Sequence, residues 1–171
     1  MKSTLLLIFS VFNSLFVFAQ NNEDKPSNST PATIAGTFSL VAVDNILADG
    51  SRVHLYGDDP QGMLILDKKG RYALQIFSQG RPRFAASDKS KGTDEENRAA
   101  VKGSNAHFGT YSIDRSAGTI TFNISHASFP NWEGTQQKRP FTFIGNVFKY
   151  TVPAPTTGGA VTGEVEWKLV E

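Results

Sequence analysis

The chain has 171 residues, 17 basic against 16 acidic side chains for a formal net charge of +1, and no cysteine. Balanced charge argues against a broad electrostatic attachment to nucleic acid or to an anionic membrane. Without disulfides the fold must be held by burial alone, and ~150 residues suffice for one core that buries roughly 68–70% of the unfolded surface.

Lys2 followed by an apolar run from Leu5 to Phe18, with Val17 and Ala19 just before a cut, predicts an export signal over residues 1–19. Asn13 and Ser14 interrupt that run. It falls short of the roughly 20 apolar residues of a spanning helix, so no stable membrane span is expected after cleavage. No cysteine is present to carry a lipid. Residues 20–34 are rich in Asn, Ser, Thr and Pro and predict a disordered linker. One domain is expected over 35–171, in a protein delivered to the periplasm or the medium.

The domain opens at Gly36, with Phe38, Leu40 and Ala42 alternating with Ser39, Val41 and Val43 in a strand expected to be covered on both faces. Asp49-Gly50 marks a turn, and Val53 to Pro60 a short edge followed by a loop. Met63–Leu66 and Tyr72–Phe77 flank Asp67-Lys68-Lys69-Gly70, a hairpin signal. The polar, basic stretch from Ser78 to Lys91 leads to Thr93-Asp94-Glu95-Glu96, a capping box that predicts one helix ending near Lys102 and Gly103.

Strands then resume over Ala106–Ile113, Thr119–His126, Phe141–Ile144 and Val147–Val152. The last strand puts Val161, Val165, Trp167 and Leu169 on one face, opposite Thr162, Glu164, Glu166 and Lys168. Short hairpins favour neighbour-to-neighbour antiparallel pairing, and closing such a meander removes its unpaired edges. The fold class is therefore all-β, a closed antiparallel barrel with one inserted helix.

Gly36-Thr37-Phe38-Ser39-Leu40-Val41, Tyr56-Gly57-Asp58-Asp59-Pro60-Gln61-Gly62, Gly70-Arg71-Tyr72, Arg81-Pro82-Arg83-Phe84 and Phe129-Pro130-Asn131-Trp132-Glu133-Gly134-Thr135-Gln136 resemble the lipocalin-like domain family, across nearly all of residues 36–171. The resemblance implies a calycin-type barrel of eight or more strands around a central cavity. Where the wider lipocalin family has Gly-x-Trp, this chain has Gly36-Thr37-Phe38. That departure weakens a link to the retinoid- and pheromone-carrying branch while leaving the barrel expected.

Several side chains could carry chemistry. Counting along Ile120, Phe122 and Ile124 puts His126 on the apolar face, directed inward, where an imidazole could exchange protons near neutral pH. A structural histidine at the barrel rim is the alternative. Phe129, Asn131 and Trp132 follow in a loop that would form either a pocket wall or a plug. Arg81 and Arg83, held extended by Pro82 and followed by Phe84, could grip a carboxylate or phosphate, or else meet Asp58, Asp59 or Asp88. Tyr72, Gln75 and Tyr111 lie on strands from which they could reach the lumen. His54, His107 and His126 come from separate strands without paired spacing, so no metal site is expected. No nucleophile elbow, phosphate-cradling loop or cysteine nucleophile is present.

Three functions stay open. One is an exported module that binds a small hydrophobic or amphipathic molecule, without cofactor. The second is a plugged structural barrel with no ligand. The third is a cofactor-free isomerase or cyclase using His126 and Arg81. The sequence names neither the ligand nor the oligomeric state.

Overall fold

The computed structural model describes residues 34–156 and 159–170; the expected export signal and most of the linker lie outside them. Nine antiparallel strands form one sheet: β1 (Gly36–Ile46), β2 (Arg52–His54), β3 (Gln61–Leu66), β4 (Arg71–Phe77), β5 (Ser104–Asp114), β6 (Thr119–Ala127), β7 (Gln136–Ile144), β8 (Val147–Val152) and β9 (Thr162–Leu169). All except the three-residue β2 join an eight-stranded ring, which closes where β1 pairs with β9 from Phe38↔Leu169 to Ile46↔Thr162. Closure leaves no long edge for another chain to extend. The calycin-type barrel expected from the resemblance is the fold observed.

The β3–β4 hairpin forms over Asp67-Lys68-Lys69-Gly70, and Gly70 supplies the left-handed conformation at φ +79°. The single helix among the described residues, α1 (Asp94–Lys102), starts where its capping box predicts. The Glu96 amide donates to Thr93 Oγ1, and the Thr93 amide donates to Glu96 Oε2.

Burial corrects the sequence reading at three places. Val41 is exposed, so β1 is not covered on both faces. A bulge between Leu40 and Ala42 turns Val41 out and lets Val43 face inward. Val161 lies ahead of β9 and is exposed, so the buried face of that strand begins with Gly163 and continues through Val165 and Trp167. Ile34, from the end of the expected linker, is buried in the core.

The barrel is filled at one end only. Phe38, Phe143 and Phe148 meet with ring centroids 5.6–6.2 Å apart, and Phe141 packs tilted against Phe148 at 5.6 Å. Leu64, Leu66, Ile120 and Trp167 complete this plug, each at most 1% exposed. Tyr111 seals the same end through a hydrogen bond from its hydroxyl to the Asp67 carbonyl, 2.8 Å. The other end is hollow.

Candidate functional site

At the hollow end a cavity of about 840 Å³ opens between the C-terminal half of β1 and the N-terminal halves of β5, β7 and β9. Val43, Leu55, Ile76, Phe122 and Val165 supply apolar wall, and the turn of α1 from Ala100 to Lys102 stands at the mouth. This size falls within the roughly 300–1,000 Å³ of small-molecule pockets. A barrel plugged throughout is therefore not what this sequence folds into.

The Phe129–Trp132 loop forms part of the wall. A 3-10 turn over Pro130–Trp132 turns the Trp132 indole edge-on to His107, with centroids 5.9 Å apart, and Phe129 meets Trp132 at 5.4 Å. Asn131, the third loop residue singled out, points to solvent and does not line the cavity.

The histidine inside the barrel is His107, not His126. Opposite Phe108 and Gly109 of β5, strand β6 carries one extra residue: Phe108 pairs with His126 and Gly109 with Ile124, leaving Ser125 over. Alternation counted from Ile120 fails at that bulge. His126 turns outward, its side chain 67% exposed, against Phe108 and 3.4 Å from Glu133. Gly109 is the residue that permits the crossing, because a Cβ there would lie 2.0 Å from the Asn123 carbonyl oxygen. Gly109→Ala is accordingly expected to cost about 1–3 kcal/mol or more through overpacking against backbone. Denaturant titration checks this, and an unchanged midpoint would mean the bulge relaxes freely.

His107 is buried and shares a 2.8 Å hydrogen bond between its Nδ1 and the Tyr72 hydroxyl. Burial, aided by the nearby Arg139 charge, lowers its pKa to about 4, so the ring is neutral at physiological pH. Burial raises Tyr72 well above the usual phenol range and Tyr150 to about 12. Tyr72 thus faces inward as expected, although it sits behind His107 and does not border the cavity.

The other predicted residues are elsewhere. Gln75 follows the outward face of β4, between buried Leu74 and Ile76, and borders a shallow outer groove with Met63, Phe108 and His126. Arg81 lays its guanidinium 4.3 Å over the Phe77 ring. Arg83 is exposed, and Phe84 covers the loop at Gly92, where a Cβ would meet its ring. Neither arginine borders the cavity or forms an ion pair with Asp58, Asp59 or Asp88 among the described residues.

The polar groups that do reach the cavity were missed by the sequence reading. Tyr56, Asn105, Gln137, Arg139 and Tyr150 line it beside His107. Asn105 neighbours the Tyr56 hydroxyl, and its own Oδ1 is buried without a partner among the described residues. Arg139 Nη2 donates to Gln137 Oε1 at 2.6 Å, and burial lowers its pKa from the ordinary value. Asp44 and Glu164 also border the mouth, but both are held by Arg52, at 3.0 and 2.7 Å.

Among known proteins, the sequence model of a family described as a lipocalin-like domain matches residues 35–169. A 4'-hydroxy-3'-methoxypropiophenone carrier protein of Aspergillus oryzae is 26% identical over 89 residues, which cover 48% of this chain and 80% of that protein.

Proposed function

The chain belongs to the lipocalin-like domain family, and on that premise we propose that it is an exported carrier of a small, mostly apolar molecule held in the hollow end of the barrel. The observation that carries this reading is the cavity of about 840 Å³ with Phe122, Trp132, Ile76 and Val165 on its walls. Such a surface rewards an apolar guest by roughly 25 cal/mol for each Å² withdrawn from water. The relative, a carrier of an aryl ketone by its name, supports carriage over chemistry. The signal-like N-terminus supports export.

Native mass spectrometry of the protein from its own source, kept free of detergent, tests carriage directly. A mass excess lost on gentle activation is expected, and its mass identifies the cargo. A bare protein that also fails to bind aryl ketones or fatty acids would overturn the reading.

The site has its own reporter, because the chain's two tryptophans occupy opposite ends. Cargo is expected to quench Trp132 saturably while Trp167, 0% exposed in the plug, reports folding. Trp132→Ala is expected to abolish the quenching and leave the unfolding midpoint nearly unchanged. A micromolar dissociation constant would correspond to about −8.2 kcal/mol. Quenching that persists in Trp132→Ala would place the cargo elsewhere.

A catalytic reading now falls to His107, Tyr72 and Arg139, since His126 and Arg81 are outside the barrel. The same burial that unites His107 and Tyr72 works against it. A histidine whose pKa is about 4 is a weak base, and a tyrosine raised above its usual range is a weak acid. Efficient proton transfer wants pKa values near the working pH. Carriage is the reading that the site supports best.

A further inference from the structure

Arg139 is a cation set where a wholly apolar cargo has no use for one. On β7 it shares the inward side with Gln137 and Phe141, and it pairs across the sheet with Ile120 in the floor of the core. Its one side-chain hydrogen bond among the described residues goes to Gln137, and no described carboxylate lies within ion-pair distance. The cavity's own acids, Asp44 and Glu164, are committed to Arg52. The groups near Arg139 are the neutral His107 ring and the Tyr150 hydroxyl. A guanidinium has five N–H donors; Arg139 borders the space the cargo would fill, and Gln137 accounts for a single hydrogen bond from it.

A half-buried cation without a counter-charge is costly, and a chain that keeps one gains when a ligand supplies the anion. The planar fork of arginine matches a carboxylate in two parallel hydrogen bonds. We infer that the cargo carries a carboxylate, seated on Arg139 with its apolar body against Phe122 and Trp132. This rests on the carrier reading and narrows it from an apolar molecule to an organic acid with an aromatic or aliphatic body.

Four probes test it: 2-naphthoate and decanoate, each with its neutral methyl ester, titrated against the full chain by Trp132 quenching and by calorimetry. At least one acid is expected to bind about tenfold or more tightly than its ester, about 1.4 kcal/mol. Arg139→Met should erase that preference while leaving ester affinity in place, and Arg139→Lys should keep part of it. Arg139→Met should also melt no lower than the unaltered protein, because the uncompensated charge is gone. If that variant is poorly folded, Arg139→Lys and Arg139→Gln carry the comparison.

Esters that bind as tightly as acids would overturn the carboxylate and leave carriage standing. Acid preference that survives in Arg139→Met would overturn the assignment to this residue. If none of the four binds, the inference falls, and the native mass measurement decides carriage separately.

Discussion

Trp167→Ala is expected to remove about 3–5 kcal/mol of folding stability, roughly a fifth or more of what a domain of this kind usually holds. The indole is 0% exposed at the filled end, paired across the sheet with Leu40 on β1 and Phe148 on β8. It therefore ties the strand that closes the ring to both of its neighbours. Nothing nearby is free to collapse into the gap, because Phe38, Phe143 and Phe148 already pack edge-on or tilted against one another. Urea unfolding followed by circular dichroism should show a lower midpoint at an unchanged slope. Trp167→Phe should cost far less, since the indole N–H approaches the Tyr150 hydroxyl without completing a hydrogen bond. A loss below about 1 kcal/mol for the alanine variant would mean this end is not close-packed.

Division of the barrel into a filled and a hollow half has a source in composition along the strands. Toward the filled end, inward positions carry Phe38, Leu64, Leu66, Phe143, Phe148 and Trp167. Toward the open end the same faces carry Asn45, Asn105, His107, Gln137, Arg139 and Gly163. Large rings close the gap across the barrel, whereas polar and small side chains cannot fill it and demand partners. Some find them within the wall, as His107 does with Tyr72. Asn105 Oδ1 does not, and Gln137 accounts for a single hydrogen bond from Arg139. The large buried side chains are thus concentrated at one end and the candidate site at the other.

How much of this was legible follows the same physics. Local signals were sufficient where structure is local: the capping box at Thr93 and Glu96, the Gly70 turn, and the alternation of Val165 and Trp167 all appear as read. The closed meander followed from hairpin spacing. The site was misread because it depends on parity carried over several residues, and parity breaks at a bulge. Ser125 shifts His126 outward by one place, and the only sequence sign of it was Gly109, a glycine inside a strand on the partner. Arg139 was missed for a related reason. Pro140 invites a break, which starts β7 at Phe141, yet the ladder to β8 begins only at Phe141 and so loses nothing to the absent proline N–H. Counting back from Phe143 through Phe141 would have placed Arg139 and Gln137 inside.

Between pH 6.5 and pH 4 the protein is expected to lose about 3 kcal/mol of stability through His107 alone, taking about 1.36 kcal/mol for each unit that burial depresses its pKa. The sign follows from where the proton goes. In the unfolded chain the imidazole titrates near 6.5, while in the barrel burial holds it to about 4. Across that window the unfolded state binds more protons, so stability is complete above the unfolded pKa and falls as the pH drops toward the folded one. The groups facing His107 reinforce the effect: Tyr72 is a neutral partner that supplies no negative charge, Phe122 and Trp132 are apolar rings, and Arg139 repels a second cation. Carboxylates whose hydrogen bonds lower their pKa, among them half-buried Asp67 and exposed Asp114, add a separate loss that begins at about pH 5 and grows below it. Stability measured by denaturant at half-unit intervals should slope downward from pH 6.5 in the unaltered protein. In His107→Asn, whose amide can still meet the Tyr72 hydroxyl, the curve should be flat until the carboxylates titrate. Equal slopes in the two proteins would show that His107 is hydrated and free to charge, against its burial beside Tyr72, Phe122 and Trp132.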